Sequence, residues 1–332
     1  MYKRKLLIGL ILFCSLTSCK NETKDYVTIT NKENIKEDAV WQVPDTNLIP
    51  KDELGEAIRY GKKLLLNTAY YIGPDGIVSK NLGNKMNCTN CHLDAGTRPY
   101  AFNFFSTHAR YPQYRARENK ILSLAERVNN CIERPHSGKP IPLDSKEMIS
   151  IISYIKWVGQ NVPVNTNVVA DSPLEIPLLN RAASSKNGKI VYDRDCKICH
   201  GVNGEGKMNT NNSTYQYPPL WGKDAYQEGS SMHRVVKAAS FIYANMPFGL
   251  AKYDKPKLTI EEAYDVAAYI NDDVIHSRPI NNGALNYPNI KTKPIDYGTG
   301  PFIDDFSEFQ HKYGPYQPII DFRKSKKLPY KF

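Results

Sequence analysis

Two short motifs place a pair of cysteines directly before a histidine. They are Cys88-Thr89-Asn90-Cys91-His92 and Cys196-Lys197-Ile198-Cys199-His200. Each has the form C-x-x-C-H, in which the thiols can form thioethers with haem vinyl groups and the imidazole can bind the iron. A single C-x-x-C would also fit a thioredoxin-like redox pair or half of a zinc site. The histidine in both copies, and the lack of a further C-x-x-C, favour two covalently attached haem c groups.

A sulfur-bearing residue follows each motif and can take the other axial position of the iron. Cys131 lies 39 residues after His92, and Met246 lies 46 residues after His200. A thiolate is a strong donor that lowers the haem potential, whereas a thioether keeps the potential higher. Two alternatives stay open: Cys131 is an ordinary buried cysteine, or Met232 replaces Met246.

The N-terminus has the pattern of a targeting segment, residues 1–18. Three cations at positions 3–5 precede an apolar run over residues 6–13, which is too short for a permanent transmembrane helix. Leu16-Thr17-Ser18-Cys19 resembles a bacterial lipobox, in which Cys19 becomes the acylated first residue; an ordinary secretory signal is the alternative. We expect an exported protein, lipid-anchored to a bacterial membrane and facing the periplasm, with residues 19–45 as a flexible tether.

The cysteine inventory and the charge narrow the function. Cys14 belongs to the targeting segment, Cys19 to the lipid site and four others to the motifs, so Cys131 is the one of seven cysteines without a role. An unpaired thiol in an oxidising compartment needs an explanation. The three cations of residues 1–18 reduce the formal charge from +10 to +7, and haem propionates reduce it further. This modest basicity indicates local anion sites, not a nucleic-acid surface.

The elements that position these residues follow one order twice: a helix, the attachment motif, the sulfur residue and a closing helix. This order predicts domains at 46–160 and 181–280, a linker at 161–180 and a C-terminal extension at 281–332 that wraps the surface. The fold class is therefore all-α, with two class I cytochrome c-like domains in tandem, each carrying one covalent c-type haem.

Periodicity and capping boxes locate the helices. The first helix is expected to begin near Lys51 and to bury one stripe. That stripe consists of Leu54, Ile58, Gly61 and Leu65. Capping boxes predict three further helix starts, at Ser123–Glu126, Asp144–Glu147 and Thr259–Glu262. On the helix that begins at Ser123, Arg127 and Arg134 lie at i−4 and i+3 from Cys131, so both can lie beside the thiol.

From Asn84 to Pro279 the chain resembles the thiosulfate dehydrogenase family of dihaem c-type cytochromes, which includes tetrathionate reductases. The residues that carry the resemblance are Gly83-Asn84, Leu93 to Thr97, Tyr111 to Arg115, Arg127 to Cys131, Gly138-Lys139, Pro218 to Gly222, Ala244 to Pro247 and Asp265 to Ile270. In that family the first haem has His and Cys ligands and the second has His with Met or Lys. The resemblance thus implies His92 and Cys131 at the first iron, and His200 and Met246 at the second.

One segment departs from the family pattern. Where the family usually reads Arg-Ser-Met-Asn-Gly-Lys, this chain reads Arg134-Pro135-His136-Ser137-Gly138-Lys139. Pro135 replaces a hydroxyl near the presumed substrate site, which leaves fine substrate specificity open. His136 lies close in sequence to Cys131 and could compete for iron.

The resemblance implies an oxidoreductase that couples two thiosulfates to tetrathionate, or runs the reverse reaction. Electrons would pass from the His/Cys haem to the His/Met haem and on to a soluble or membrane cytochrome c or another acceptor. Because two dianions must meet, the site needs fixed cations. We expect them among Arg115, Arg117, Arg127, Arg134 and Lys139, some of which could instead hold propionates or acids. The predicted catalytic residues are Cys131, Arg127, Arg134 and Arg117.

Two other functional classes remain compatible with the sequence. A non-catalytic dihaem electron-transfer lipoprotein would keep both irons saturated, and it would not require Cys131 with flanking arginines. A subunit of a sulfur-oxidising complex related to the SoxA cytochromes would also use a Cys-ligated haem, but the Met-ligated second domain argues against it.

Overall fold

The structure, a computed structural model, describes residues 40–211, 213–280, 286–330 and 332. Helices dominate these ranges, and each half of the chain also contains one antiparallel hairpin. The hairpins pair β1 (Gln113–Arg115) with β2 (Lys120–Leu122), and β3 (Lys207–Met208) with β4 (Tyr215–Tyr217). The predicted targeting segment, residues 1–18, and the predicted tether as far as position 39 lie outside the described residues. No helix in the described ranges has both the length and the apolar character needed to cross a membrane.

The first half is built on a helix pair that crosses at a glycine. Its helices are α1 (Glu53–Leu66), α2 (Thr68–Ile72), α3 (Leu93–Gly96), α4 (Leu124–Glu133) and α5 (Lys146–Val158). α1 packs against α5, and a Cβ at Gly61 would collide with the carbonyl oxygen of Ser150 and lie 2.8 Å from Cβ of Tyr154. Gly61 therefore permits a backbone approach that alanine would prevent.

The second half repeats this crossing. Its helices are α6 (Ser185–Val191), α7 (Lys197–His200), α8 (Val235–Asn245) and α9 (Ile260–Ile270). α6 packs on α9, and a Cβ at Gly188 would collide with the carbonyl oxygen of Asp265 and lie 2.8 Å from Cβ of Tyr269. In both halves a glycine of the first helix meets a backbone carbonyl and a tyrosine four residues later on the closing helix. This shared geometry agrees with the predicted internal duplication.

The predicted helix starts are confirmed at two of the three capping boxes. Ser123 and Thr259 accept bonds from the backbone N–H groups of Glu126 and Glu262, whose side chains bond back. The third start is shifted by one residue: Ser145, not Asp144, accepts from the N–H of Met148 at 3.2 Å. A hydroxyl one residue later offers the same cap, so the sequence pattern was ambiguous there.

The predicted stripe of α1 is wrong at one position. Leu54 is 55% exposed. The buried face of α1 consists of Gly55, Ile58, Gly61, Leu64 and Leu65. Leu54 lies in the first turn, where the chain enters from Pro50 and Gly55 faces that segment. The helix therefore turns Gly55, not Leu54, toward the interior.

Two segments predicted to lie outside the first domain pack on it: the end of the tether, from residue 40, and the linker at 161–180. Val40 is buried and bridges Val169, and Trp41 donates to the Val158 carbonyl at 3.1 Å. The Ala170 carbonyl accepts from the backbone N–H of Tyr100 at 3.0 Å. These contacts extend the first domain's packing on both sides of the predicted 46–160 range.

The C-terminal extension enters the core of the second domain instead of only wrapping it. It contains α10 (Glu308–Tyr313) and α11 (Gln317–Ser325). Four of its apolar residues belong to the same buried cluster as α8 and α9, namely Ile295, Tyr316, Ile319 and Ile320. The helices are too short for a periodic signal, which is why the sequence did not reveal this packing.

Candidate active site and haem cavities

The first attachment motif opens into a cavity of about 320 Å³ whose walls include Cys88, Cys91, His92 and Cys131. The Nδ1 of His92 hydrogen-bonds the carbonyl oxygen of Phe102. This bond fixes the ring and leaves Nε2 for a metal, as in proteins that bind metals through histidine. The cavity therefore combines two thiols for attachment with an imidazole and a thiol as candidate axial donors.

A partly buried arginine in the same cavity fits a haem propionate. Arg110 and Asp171 line the cavity, with Nη1 and Oδ2 separated by 3.8 Å. Arg110 Nε and Asp171 Oδ2 are buried, and neither has a hydrogen-bond partner within the described part of the chain. Buried polar atoms normally have partners, so the unpaired guanidinium nitrogen suits a bound carboxylate. The donor set and this cation fit a covalently attached haem.

The second motif opens into a cavity of about 230 Å³ with Cys196, Cys199, His200 and Met246 in its walls. The Nδ1 of His200 lies 2.8 Å from the Pro218 carbonyl oxygen, which repeats the orientation of His92. The loop from Pro218 lines this cavity, with Pro219 and Leu220 beside it. Each half of the chain thus presents an imidazole oriented through a backbone carbonyl.

The two cavities share a wall. Met86, Cys91 and Met232 line both of them, whereas Met246 lines only the second. The groups bound at the two motifs would therefore lie next to each other, which suits electron transfer between them. Met232 also lies within reach of both groups, so the choice of Met246 as the second sulfur ligand stays a prediction.

The surroundings of Cys131 stabilise its thiolate form, whereas those of the attachment cysteines Cys88 and Cys91 do not. Arg127 Nη1 donates to Cys131 Sγ at 2.8 Å. Burial by itself raises the pKa of the Cys131 thiol, but Arg127 and then His92 outweigh burial and lower this pKa to about 6. By contrast, burial raises the pKa of Cys88 to about 11 and that of Cys91 to about 12. The thiolate form is therefore favoured at Cys131.

A smaller pocket of about 90 Å³ opens beside Cys131, and we call it the arginine pocket. Its lining comprises Arg115, Arg117, Arg127, Asn130, Cys131, Arg134, Pro135, Gly229, Ser230, Ser231, Arg234 and Tyr287. Five of these residues carry a guanidinium, and no carboxylate is among the lining residues that the structure describes. Because residues 115–135 and 229–287 face each other across it, the pocket depends on both halves of the chain. Its shape and charge suit a small anion.

The predicted arginines reach this pocket with different partners. Arg134 Nη1 pairs with Glu118 Oε1 at 2.8 Å, and its charge still helps to lower the pKa of Cys131. Arg117 donates to the carbonyl oxygen of Gly229 and stacks on aromatic rings. The side chain of Arg115 makes no hydrogen bond or ion pair with any residue that the structure describes, although the residue lines the pocket. Among the pocket arginines, which all lie in the described part of the chain, Arg127 alone bonds the thiol directly.

Sequence reasoning included one residue too many and missed two. Lys139 is not part of the pocket lining, whereas Arg234 and Tyr287 are. Both missed residues lie in the second half of the chain, more than a hundred positions from Cys131. No spacing rule connects them to the thiol, because only the packing of the two halves brings them there.

The segment that differs from the family pattern, residues 134–139, also contributes to the site. Pro135 lines both the first cavity and the arginine pocket. His136 is buried in the wall of the first cavity, with Nδ1 at 3.1 Å from Asn84 Oδ1. Its competition for iron stays a prediction.

Comparisons with known proteins agree with this geometry. Residues 79–164 match the family described as SoxA/TsdA, cytochrome c domain, and residues 185–272 match the cytochrome c family. The chain is 35% identical to the thiosulfate dehydrogenase of Psychrobacter arcticus, over 79% of this chain and 74% of that protein. It is 34% identical to that of Allochromatium vinosum, over 72% of this chain and 84% of the relative.

A solved structure supports the same conclusion. The thiosulfate dehydrogenase (TsdBA) of Marichromatium purpuratum, in its as-isolated form, superposes with a TM-score of 0.68 at 28% identity. The match covers 82% of this chain, which spans 55% of the length of that chain. The predicted fold of two tandem cytochrome c domains is confirmed, and with it the two covalently bound haem c groups. The chain belongs to the thiosulfate dehydrogenase family of oxidoreductases.

Proposed function

We propose that the protein couples two thiosulfates to tetrathionate at the arginine pocket, and that it can also catalyse the reverse reaction. The observation that carries this proposal is the position of Cys131, whose side chain lines both the first haem cavity and the arginine pocket. A thiol so placed can meet substrate sulfur and a redox group together. The relatives named thiosulfate dehydrogenase support the choice of substrate.

The charge of the pocket suits the reaction. Coupling removes two electrons from two thiosulfate dianions and leaves one tetrathionate dianion, without a proton. Two unit charges of like sign at about 4 Å repel by about 4 kcal/mol at an effective dielectric constant of about 20, so unassisted approach of two dianions is costly. Arg115, Arg117 and Arg127 place fixed positive charge beside Cys131, where it offsets this repulsion.

The chain's own residues have distinct proposed roles. His92 and Cys131 would hold the first iron, and His200 and Met246 the second. When bound, the two haems supply two one-electron acceptors, which together take both electrons of a coupling. Arg127 keeps the Cys131 sulfur anionic through its 2.8 Å bond, and an anionic sulfur is the form that reacts in sulfur–sulfur bond formation. The roles of Arg117 and Arg134 are to bind substrate oxygens.

The shared wall brings the two haem sites close together, and their different axial ligands set the proposed direction of electron transfer. Met86, Cys91 and Met232 separate the two cavities by single side chains. A thiolate-ligated group has the lower potential and a thioether-ligated group the higher. Electrons would therefore run from the first site to the second during oxidation, and from there to an external cytochrome or other acceptor.

A direct assay separates this function from that of an electron carrier. Purified holoprotein should reduce ferricyanide with thiosulfate and should consume tetrathionate with a low-potential donor. A carrier would undergo reduction and reoxidation with artificial reagents but would be inert toward both sulfur compounds. The arginine pocket favours catalysis, because a carrier does not require an anion site beside an axial sulfur.

The proposed location depends on residues that the structure does not describe. We propose export and anchoring through a lipid on Cys19, since Leu16-Thr17-Ser18-Cys19 resembles a lipobox. Intact mass of the native mature protein should show Cys19 as its modified first residue. A mature chain that begins further along and lacks lipid would refute the anchor and leave the catalytic proposal unaffected.

A further inference from the structure

Arg117 is held by residues that lie far from it in the chain. Its Nε donates to the hydroxyl of Tyr287 at 3.4 Å, and its guanidinium carbon lies 5.3 Å from the centre of the Tyr287 ring and 5.7 Å from that of Tyr297. Nη1 donates to the carbonyl oxygen of Gly229. The backbone N–H of Tyr287 donates in turn to the carbonyl of Arg117 at 2.9 Å. Side chain and backbone of Arg117 are thus both fixed from the second half of the chain.

Arg234 is held by the same C-terminal segment. It is buried, and its Nε lies 3.1 Å from Oδ1 of Asp296, which is also buried. Asp296 immediately precedes Tyr297, whose ring lies beside Tyr287 at 5.1 Å between centroids. The three residues Tyr287, Asp296 and Tyr297 therefore form one support under two arginines of the pocket.

The two supports differ in what they do to charge. A carboxylate neutralises a guanidinium, as Asp296 does for Arg234 and Glu118 for Arg134. A phenol and an aromatic face orient a guanidinium and stabilise it without cancelling its charge. Arg117 therefore keeps its full charge for an anion in the pocket.

A charge count gives the class of ligand. Of the five guanidinium groups in the arginine pocket, Arg134 and Arg234 are paired with the carboxylates of Glu118 and Asp296, and Arg127 is bonded to Cys131 Sγ. Two positive charges remain, and they belong to Arg115 and Arg117. Two charges match one dianion, which is the charge of thiosulfate and of tetrathionate.

The backbone conformation and the phenol pKa of Tyr287 both agree with a side chain fixed by its contacts with the pocket arginines. Its φ of +61° is unfavourable for a residue with a side chain and persists only where the surroundings require it. Burial raises the pKa of the Tyr287 phenol, yet Arg117 and Arg234 lower it below its usual value. The hydroxyl thus lies in the positive field of the pocket.

We propose that Tyr287 is a positioning residue of the substrate site: it orients Arg117 without neutralising it, so that the C-terminal segment completes the pocket for a sulfur-oxyanion dianion. This inference rests on the proposed function, since it takes the arginine pocket as the substrate site. It assigns to the C-terminal segment a role in substrate affinity in addition to its packing in the second domain.

Three variants test the inference by steady-state thiosulfate oxidation. Tyr287→Phe keeps the ring and removes the hydroxyl, and KM should rise by roughly 2- to 10-fold, because the lost bond from Arg117 Nε is long at 3.4 Å and acts on the substrate only through Arg117. Tyr287→Leu also removes the aromatic face, and KM should rise by about 10- to 100-fold. Tyr330→Leu is the matched control: it is an exposed tyrosine of the same segment, stacked only under Lys324 within the described structure, and KM should stay at the wild-type value.

The split between KM and kcat distinguishes positioning from a general structural role. Loss of a positioning residue should raise KM with a smaller change in kcat, while the ferric absorption spectra and the thermal midpoint of Tyr287→Phe match those of wild type. A thiosulfate titration of wild type and Tyr287→Leu, followed by the ferric difference spectrum, should give the same loss of affinity without turnover.

The possible results separate a failure of this inference from a failure of the proposed function. If wild-type protein oxidises thiosulfate and both Tyr287 variants keep its KM, the inference is wrong and the proposed function stands. If KM is unchanged and kcat falls with the thermal midpoint, Tyr287 has a structural role only, and the inference is again wrong. If wild-type protein neither oxidises nor binds thiosulfate, the proposed function fails and this inference fails with it.

Discussion

Arg115 offers a direct test of the pocket, because removing its charge should disturb little else. Its guanidinium lines the arginine pocket and the first cavity and has no hydrogen-bond or ion-pair partner within the described ranges. Its backbone is held independently by the pairing of β1 with β2, where it faces Lys120. Arg115→Gln should therefore remove one of the two uncompensated charges and leave the fold intact.

The expected magnitude follows from the type of contact. A hydrogen bond to a charged group contributes about 1.5–3 kcal/mol, and each 1.36 kcal/mol is a factor of ten in rate. Arg115→Gln should thus lower kcat/KM for thiosulfate by roughly 10- to 150-fold. The free energy of unfolding should change by less than about 0.5 kcal/mol, as for surface substitutions without a structural partner.

The assay is thiosulfate-dependent reduction of ferricyanide, with one matched control and one contrasting variant. Lys139→Gln removes a cation from the segment after Arg134 that does not line the pocket, and kcat/KM should stay at the wild-type value. Arg134→Gln removes the ion pair of Glu118, which then keeps only the hydrogen bond from Asn130 Nδ2 at 3.0 Å, so it should lower both kcat/KM and stability. Equal kcat/KM for Arg115→Gln and Lys139→Gln would refute the assignment of the pocket as the substrate site.

Three further predictions address the second haem, the helix crossing and pH. Met246→Gly should change the ligand signature of the second haem while Met232→Gly leaves it; the reverse result in near-infrared spectra would exchange the assignment. Gly188→Ala should lower the free energy of unfolding by about 1–3 kcal/mol through overpacking, and with it the thermal midpoint, because the added Cβ would collide with the Asp265 carbonyl oxygen; an unchanged midpoint would contradict this crossing. Burial lowers the pKa of His276 to about 4, so its contribution to stability is present above pH 6.5 and is lost as pH falls toward 4. His276→Phe should reduce this acid loss in denaturant titrations, and equal slopes in both proteins would contradict it.

The haem sites were predictable because their signals are local. The attachment motifs need only five consecutive residues, and Arg127 lies one helical turn before Cys131 on a helix whose capping box begins at Ser123. Local bonds of this kind survive in any tertiary arrangement. The same reasoning located α9 from its box at Thr259.

The arginine pocket was only half predictable, because it is made by packing between distant segments. Arg234 and Tyr287 approach Arg117 across more than a hundred residues of sequence. The C-terminal extension is held in place by buried apolar residues such as Ile319 and Ile320. Both lie on α11, which is too short to show a hydrophobic period in the sequence. Lys139, in contrast, was expected as a cation of the Gly138-Lys139 segment that carries the family resemblance, and the structure does not place it in the pocket lining.

We propose that Cys131 is both an axial ligand of the first haem and a participant in the sulfur chemistry. The measurement is Cys131→Gly compared with wild type, by low-temperature EPR of the ferric haems and by turnover in both directions. Both haems should stay attached through Cys88, Cys91, Cys196 and Cys199, and the thiolate signal should disappear. Turnover should fall by orders of magnitude, since no other group can replace the sulfur. A variant that keeps full thiosulfate turnover, or a ferric EPR spectrum identical to that of wild type, would contradict it.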